Sequence, residues 1–186
     1  MSSVLKNQIK LKNSMIFDKK IFVERNKSKV ILITGAGTVG EELLNELYDI
    51  SIKYIILDNS ELTLFNLNQK FNEHRNVKFV LCSIRDKKRL KSIFKKYTPN
   101  IVIHTAAYKH LYLSENNNYE SIRTNIEGTV NLFDVSKDKT EQFLFISTDK
   151  AVYPTSFMGK TKKVAELYLE GFIGESLTKI KILRFG

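Results

Sequence analysis

A loop rich in glycine provides the first residues whose types and spacing could do chemistry. Gly35, Gly37 and Gly40 form a GxGxxG pattern that includes Thr38 and Val39 and directly follows an apolar run. In such a loop the first glycine permits a tight turn, and the second lets the backbone approach a pyrophosphate. The third lets a helix pack closely on the preceding strand. Alone, the pattern is a weak signal for a dinucleotide.

An acidic residue strengthens that signal. Asp58 lies eighteen residues after Gly40, at the end of the next apolar run. A carboxylate at this point can accept hydrogen bonds from the adenosine ribose diol. Its charge would repel a ribose phosphate, so the sequence favours NAD, with NADP left open because lysines lie nearby. The alternative is a glycine turn followed by an ordinary Asp helix cap.

Further polar residues follow two later apolar runs. Residues 106–110 (Ala-Ala-Tyr-Lys-His) follow one run, and Thr148, Asp149 and Lys150 follow the next, ahead of a helical segment with Lys162. Ligands of open parallel sheets bind at the carboxyl ends of the strands, so these residues are expected to face one crevice. An adjacent acid and cation can tune each other's pKa, as acid–base catalysis requires. An exposed ion pair in a surface turn is the other interpretation.

The elements that must position these residues alternate along the chain. Short runs rich in β-branched residues predict six buried strands, at 30–34, 54–57, 77–81, 101–104, 143–147 and 180–183. Helical spacing lies between them, at 39–48, 61–72, 87–96, 119–136 and 158–172. The alternation predicts an α/β fold, a Rossmann-type doubly wound parallel sheet with helices on both faces. We assign residues 29–186 to this domain and residues 1–28 to a basic N-terminal extension.

Composition narrows the function classes. The chain has 186 residues, 42% of them hydrophobic, which suits one domain. No apolar run is long enough to span a membrane, and the single cysteine agrees with a reducing compartment, so a cytoplasmic protein is expected. The net charge is +10, but the lysines are scattered, which argues against a nucleic-acid partner. His74 and His104 lack metal-ligand spacing, so no metal site is expected.

Five stretches together resemble the extended short-chain dehydrogenases. They are similar most closely to the capsular-polysaccharide branch of the UDP-N-acetylglucosamine 4,6-dehydratases. The stretches are 57–61, 106–110, 123–125 with 128–129, 147–152, and 158 with 161–162. The resemblance covers nearly all of residues 29–186 and implies a UDP-sugar substrate. It also implies pairing through the helices after the fourth and fifth strands, so a homo-oligomer is a further expectation.

The resemblance assigns roles to the candidate active-site residues. Most short-chain dehydrogenases have a YxxxK pair, whereas here Met158 replaces the tyrosine. A thioether has no proton to exchange, so Met158 is not a general acid or base. The resemblance implies that Thr148 contacts the hydroxyl at sugar carbon 4. It gives acid and base roles to Asp149 and Lys150, and Lys162 holds the nicotinamide ribose.

Cofactor and substrate contacts are implied in the same way. The expected cofactor contacts are Gly35, Gly37, Thr38, Val39, Gly40, Asp58, Ser83, Ile84, Ala106, Ala107, Tyr108, Asn125 and Lys162. Lys109 and His110 are expected to contact the substrate. Two departures from the family pattern predict weaker cofactor binding: Ser83 replaces an acidic residue, and Cys82 replaces a smaller glycine.

Three functions remain open from sequence. The first is an NAD-dependent UDP-N-acetylglucosamine 4,6-dehydratase of polysaccharide biosynthesis, or the cofactor-binding portion of one. The second is a catalytically inactive dinucleotide-binding module, and the third is a nucleotide-sugar 4-epimerase. The chain ends at Gly186, directly after the sixth predicted strand. We therefore expect a truncated chain in which the C-terminal substrate domain of the family is absent.

Overall fold

The computed structural model describes residues 18–186. The N-terminal extension predicted for residues 1–28 thus lies largely outside the described residues. Within its last part, residues Lys19–Asn26 form a helix, α1. The Asp18 carboxylate caps this helix by accepting hydrogen bonds from the backbone N–H groups of Lys20 and Ile21.

Six parallel strands form one sheet. Their bounds are β1 Val30–Thr34, β2 Lys53–Asp58, β3 Val77–Leu81, β4 Ile101–His104, β5 Gln142–Thr148 and β6 Lys179–Phe185. The strand order is β3-β2-β1-β4-β5-β6, and every neighbouring pair is parallel. The order reverses between β1 and β4, which is where such sheets open a ligand crevice. The Rossmann-type fold predicted from the sequence is confirmed.

Helices connect the strands on both faces of the sheet. They are α2 Thr38–Leu47, α3 Glu61–Lys70, α4 Lys87–Tyr97, α5 Leu111–Asn116, α6 Asn118–Ser121, α7 Gly128–Ser136 and α8 Phe157–Glu170. A π-helix at Ile122–Glu127 joins α6 to α7, and a 3-10 turn at Asp149–Ala151 follows β5. A continuous helical segment thus spans residues 118–136, close to the predicted 119–136, but its middle turns form a π-helix and not an α-helix. The short helix α5 and the break at Asn117, which precede this segment, were not predicted.

Two apolar clusters, one on each face of the sheet, form the core. Alternate strand residues supply them: Ile31 and Ile33 face one cluster, whereas Leu32 faces the other. Among the described residues, two charged side chains are buried, those of Lys162 and Glu166, and both are on α8. In the part of the chain that the structure describes, no helix is both long and apolar enough to cross a membrane.

Candidate active site

Two cavities meet at the carboxyl ends of the strands. The smaller has a volume of about 260 Å³ and the larger about 590 Å³. Both are lined by Thr38, Val39, Thr105, Ala107 and Lys109, so they form one continuous crevice. The position agrees with the crevice expected where the strand order reverses.

The crevice gathers most of the residues predicted from the sequence. The smaller cavity is lined by eleven of the thirteen expected cofactor contacts: Gly35, Gly37, Thr38, Val39, Gly40, Asp58, Ser83, Ile84, Ala106, Ala107 and Tyr108. The larger cavity is lined by four of the five expected catalytic residues: Thr148, Lys150, Met158 and Lys162. Asn125 and Asp149 line neither cavity. The roles of these residues remain predictions, but those that line either cavity share one crevice.

The three glycines of the loop at residues 35–40, here called the glycine loop, have different surroundings. Gly35 has φ +88°, and a Cβ there would lie 2.6 Å from the Ala106 backbone nitrogen. A Cβ on Gly40 would lie 1.8 Å from the Gly35 carbonyl oxygen. A Cβ on Gly37 would meet no atom within 4 Å. Packing therefore requires Gly35 and Gly40, whereas Gly37 borders open space that a ligand can approach.

Thr105 holds the glycine loop from the neighbouring strand. Its hydroxyl lies 2.8 Å from the Thr34 carbonyl oxygen and 2.9 Å from that of Gly35, so its single proton is shared between the two acceptors. This residue was not among those predicted from the sequence. A threonine between a histidine and an alanine gives no pattern, and its partners lie about seventy residues earlier in the chain.

Asp58 is fixed at the rim of the smaller cavity by both of its oxygens. Oδ2 accepts the Ala36 backbone N–H at 2.6 Å, and Oδ1 accepts the Ser60 backbone N–H at 2.7 Å. The carboxylate thus ties the glycine loop to the end of β2. Each oxygen keeps a further lone pair that can accept a hydrogen bond from a ligand hydroxyl.

The loop after β3 contains Arg85, a second residue that was not predicted from the sequence. Its guanidinium forms an ion pair with Glu120 at 2.6 Å, donates to the Thr124 hydroxyl, and lies 5.8 Å from the centre of the Tyr108 ring. Arg85 therefore links the Ser83 side of the crevice to the π-helix.

In the same loop, burial raises the pKa of the Cys82 thiol to about 11, so it stays protonated at neutral pH.

Asn125 positions the loop after β4. Its side chain accepts the Tyr108 backbone N–H at 2.8 Å and donates to the Tyr108 carbonyl oxygen at 3.0 Å. It also donates to the Thr161 hydroxyl on α8 at 2.9 Å. Asn125 is buried, and these three hydrogen bonds all join its side chain to other residues of the chain. Its poor helix propensity was the sequence signal, and the π-helix that contains it is a form often found at functional sites.

Thr148, Asp149 and Lys150 follow one another at the end of β5, and the first and last of them line the larger cavity. The Thr148 hydroxyl lies 3.0 Å from Asp149 Oδ1, and the Lys150 amine lies 3.1 Å from the same oxygen. Hydrogen bonds from Lys150 and then Thr148 lower the pKa of the Asp149 carboxyl below its ordinary value. The carboxylate is therefore ionised at neutral pH.

Helix α8 brings Met158 and Lys162 to the floor of the larger cavity. A Cβ on Gly159 would lie 2.4 Å from the Lys150 carbonyl oxygen, so this glycine lets the helix approach the 3-10 turn at Asp149–Ala151. The Lys162 amine donates to the Ile146 carbonyl oxygen at 2.9 Å and lies 4.4 Å from the Phe145 ring centre. Burial lowers the Lys162 pKa to about 8, and the charge of Glu166 acts in the opposite direction.

Only one of the two residues expected to contact the substrate lines the crevice. Lys109 lines both of its cavities. His110 directly precedes α5 and lines a different cavity, of about 350 Å³, which Lys109 also borders. The structure therefore places Lys109, and not His110, in the crevice.

His104 is a buried histidine beneath the crevice. The Thr129 hydroxyl donates to the Asn125 carbonyl oxygen at 2.7 Å, so its oxygen accepts the proton on His104 Nε2, which lies 2.9 Å away. His104 Nδ1 then accepts the proton of the Thr34 hydroxyl at 2.7 Å. Burial, and secondarily the charge of Lys162, lower the His104 pKa well below its ordinary value.

We expect this histidine to make the fold sensitive to mild acid. The folded state keeps His104 neutral, whereas the unfolded chain takes up a proton at this histidine below about pH 6.5. The contribution of His104 to the free energy of unfolding is therefore fully present above that pH and is lost progressively below it. The free energy of unfolding should fall by about 1.4 kcal/mol per pH unit between about pH 6.5 and pH 5. Urea unfolding measured across this range would show the slope. His104→Gln should remove it, and an equal slope in that variant would contradict the assignment.

Comparisons with known proteins agree with this geometry. A family model described as "Polysaccharide biosynthesis protein" matches residues 31–186. The probable polysaccharide biosynthesis protein EpsC of Bacillus subtilis is 37% identical over 169 residues, which are 87% of this chain and 28% of that protein. A UDP-N-acetylglucosamine 4,6-dehydratase (inverting) of Campylobacter jejuni is 30% identical over 168 residues, which are 87% of this chain and 49% of the enzyme.

A solved structure shows the same fold at similar identity. Pen from Bacillus thuringiensis superposes with a TM-score of 0.79 and 30% sequence identity, covering 87% of this chain and 51% of that one. The chain thus spans about half the length, or less, of these relatives. The match over residues 31–186 includes the whole crevice and all six strands except Val30, the first residue of β1. The chain therefore belongs to the polysaccharide biosynthesis protein family and has the short-chain dehydrogenase type of Rossmann fold.

Proposed function

We propose that this chain forms the cofactor-binding and catalytic half of a UDP-N-acetylglucosamine 4,6-dehydratase. One observation carries the proposal: a single crevice joins the glycine loop and Asp58 to Thr148, Lys150 and Lys162. A dinucleotide that lies along the crevice would have its adenosine end beside Asp58 and its nicotinamide end beside Lys162. The relative from Campylobacter jejuni, named as an inverting UDP-N-acetylglucosamine 4,6-dehydratase, supports the choice of substrate.

The residues present fit a dinucleotide such as NAD. Gly37 leaves open space at the N-terminus of α2, where backbone N–H groups and the helix dipole favour a pyrophosphate. Asp58 keeps lone pairs for a ribose diol and carries a charge that disfavours a ribose phosphate. When bound, the dinucleotide supplies hydride acceptance from sugar carbon 4 and hydride return to carbon 6.

The Asp149 and Lys150 side chains can move the protons that this reaction requires. Asp149, as a carboxylate hydrogen-bonded to Thr148, accepts the proton of the carbon 4 hydroxyl as that carbon is oxidised. Protonation of Asp149 breaks its ion pair with Lys150, and Lys150 then releases its own proton to solvent and, as a free amine, takes the proton from carbon 5. Asp149 passes its proton to the hydroxyl that leaves carbon 6 as water, and Lys150 returns the carbon 5 proton to that carbon. Lys150 finally regains a proton from solvent, so both side chains end in their starting states, and Met158 takes no part.

Calorimetry with NAD, followed by an assay for a 4-keto sugar, tests the proposal. We expect NAD to bind more tightly than NADP, and UDP-N-acetylglucosamine to be converted in the presence of NAD. Binding without turnover would support the inactive dinucleotide-binding module instead. A 4-epimer product without loss of water would support the epimerase. No dinucleotide binding at all would overturn the proposal.

Lys162 should be required for binding. We expect Lys162→Met to weaken NAD binding by about 10- to 100-fold, because a charge-assisted hydrogen bond to the ribose is lost. The fold should be retained, since the variant replaces a desolvated amine with an apolar side chain of similar length. Lys95→Met is the matched control, because Lys95 is an exposed lysine in the last turn of α4. Equal affinities in the two variants would remove Lys162 from the site.

A further inference from the structure

Glu166 is a buried carboxylate to which the proposed reaction gives no role. Its side chain is 0% exposed, and it accepts two hydrogen bonds from the Arg184 guanidinium, at 2.9 Å and 2.8 Å. The Lys163 amine lies 3.8 Å away on the same helix. Hydrogen bonds from Arg184 hold the Glu166 pKa below its ordinary value in spite of burial. A carboxylate is rarely buried so completely, and its removal from water is costly.

The carboxylate lies one helical turn from Lys162. Residues four apart on a helix share a face, so Glu166 is on the side of α8 that presents Lys162 to the sheet. The buried Lys162 amine has one hydrogen-bond acceptor among the described residues, the Ile146 carbonyl oxygen. As an ammonium ion, Lys162 has two further N–H donors that are available to a ligand in the larger cavity, whereas the neutral amine would have one.

Other elements that face Lys162 bring no competing anion. From β4, His104 is neutral. From the turn after β5, Asp149 and Lys150 form an ion pair with each other. From β6, Arg184 is engaged by Glu166 itself. Glu166 is thus the carboxylate among the described residues whose charge acts on Lys162.

We propose that Glu166 is a positioning residue that keeps the buried Lys162 amine protonated, and that Arg184 moderates this effect by neutralising part of the Glu166 charge. The inference rests on the proposed function only for the identity of the ligand that Lys162 contacts. The Arg184–Glu166 pair links β6 to α8 and sets the charge at the nicotinamide end of the crevice. A dinucleotide would then meet an ammonium ion that is already in place.

The sign of the effect separates this role from a structural one. Glu166→Gln removes the anion, so the Lys162 pKa should fall by about one to two units. Arg184→Met leaves the anion unopposed, so the same pKa should rise. Loosening of the contact between α8 and β6 would instead hydrate the amine in both variants and raise its pKa toward the ordinary lysine value. Glu166→Asp should restore most of the native pKa if the variant keeps the ion pair.

The titration is measured on the free chain by NMR of lysine side chains labelled at Cε, with Lys162→Met identifying the signal. Glu170→Gln is the matched control, because it removes an exposed carboxylate one turn further along α8. A fall in Glu166→Gln with no change in Glu170→Gln is the expected result. No change or a rise in Glu166→Gln would overturn the proposal, and if that variant does not fold, a fall in Arg184→Met would do the same.

Dinucleotide affinity is then measured against pH as a separate readout. In the native chain, affinity should fall as Lys162 loses its proton, and in Glu166→Gln the fall should begin at a lower pH by the same shift. The titration of Lys162 in the free chain does not depend on a cofactor. Failure to bind any dinucleotide would therefore overturn the proposed function, whereas a wrong sign in the titration would overturn only the role of Glu166.

Discussion

Replacing Gly40 with alanine is expected to abolish dinucleotide binding and to destabilise the fold. The new Cβ would lie 1.8 Å from the Gly35 carbonyl oxygen and 3.0 Å from the Gly35 carbonyl carbon. Both atoms belong to the backbone of the glycine loop, so neither can move without displacing the loop from β1 and Thr105. We expect the free energy of unfolding to fall by about 3 kcal/mol, the upper part of the range for overpacking. Urea unfolding and calorimetry with NAD would measure the two losses.

Gly37→Ala is the matched variant in the same loop. Its Cβ meets no protein atom within 4 Å, and Gly37 has φ −70°, which alanine adopts without strain. Stability should therefore be unchanged or slightly higher, because alanine lowers the entropy of the unfolded chain. NAD affinity should still fall, since the methyl group occupies the space that a pyrophosphate would approach. Native affinity in Gly37→Ala would show that the pyrophosphate lies elsewhere, and native stability in Gly40→Ala would contradict the loop geometry.

The order of strands and helices could be predicted because burial imposes periodicity on the sequence. Strands buried on both faces are continuous apolar runs, and β1 and β4, which are of this kind, match their predicted ranges, as does the edge strand β3. The gathering of Asp58 and Thr148 at one edge also followed from the sequence, since parallel strands end at the same edge of the sheet. No side-chain contact had to be known for either inference.

Contacts between distant residues could not be predicted in this way. Arg85, Thr105 and Glu166 act through partners on other elements, and a polar residue carries no mark of its partner in the sequence. The π-helix was missed for a related reason. A wider turn changes which residues share a face, so the spacing over 119–136 was interpreted as one regular helix, whereas the side chain of Asn125 is committed to Tyr108 and Thr161.

Helix α1 was missed because its apolar residues are few and depend on the neighbouring helix. Phe22 and Val23 are only partly buried, against the core cluster that also contains α2 residues. A segment of eight residues with two half-buried apolar side chains has no clear period. Its stability comes from this packing and from the Asp18 cap, and short helices rarely persist without such support.

Asp149→Asn and Lys150→Met are expected to reduce dehydratase turnover by about 10²- to 10⁴-fold, the usual contribution of a general acid or base. The two side chains are largely exposed, and their mutual ion pair contributes little to stability. The fold should therefore be unchanged in both variants, and so should NAD affinity. Asp138→Asn is the control, because it removes a distant carboxylate whose pKa is also lowered by local hydrogen bonds. That variant should turn over normally.

The two variants should stop the reaction at different points. Asp149 accepts the carbon 4 proton in the proposed sequence, so Asp149→Asn should prevent reduced dinucleotide from forming when substrate is added. Lys150 acts only at carbon 5, so Lys150→Met should let the reduced dinucleotide accumulate and should block exchange of the carbon 5 hydrogen with deuterated water. Identical behaviour of the two variants would mean that the ion pair acts as one unit. Accumulation in Asp149→Asn alone would reverse the assignment, making Lys150 the group that accepts the first proton.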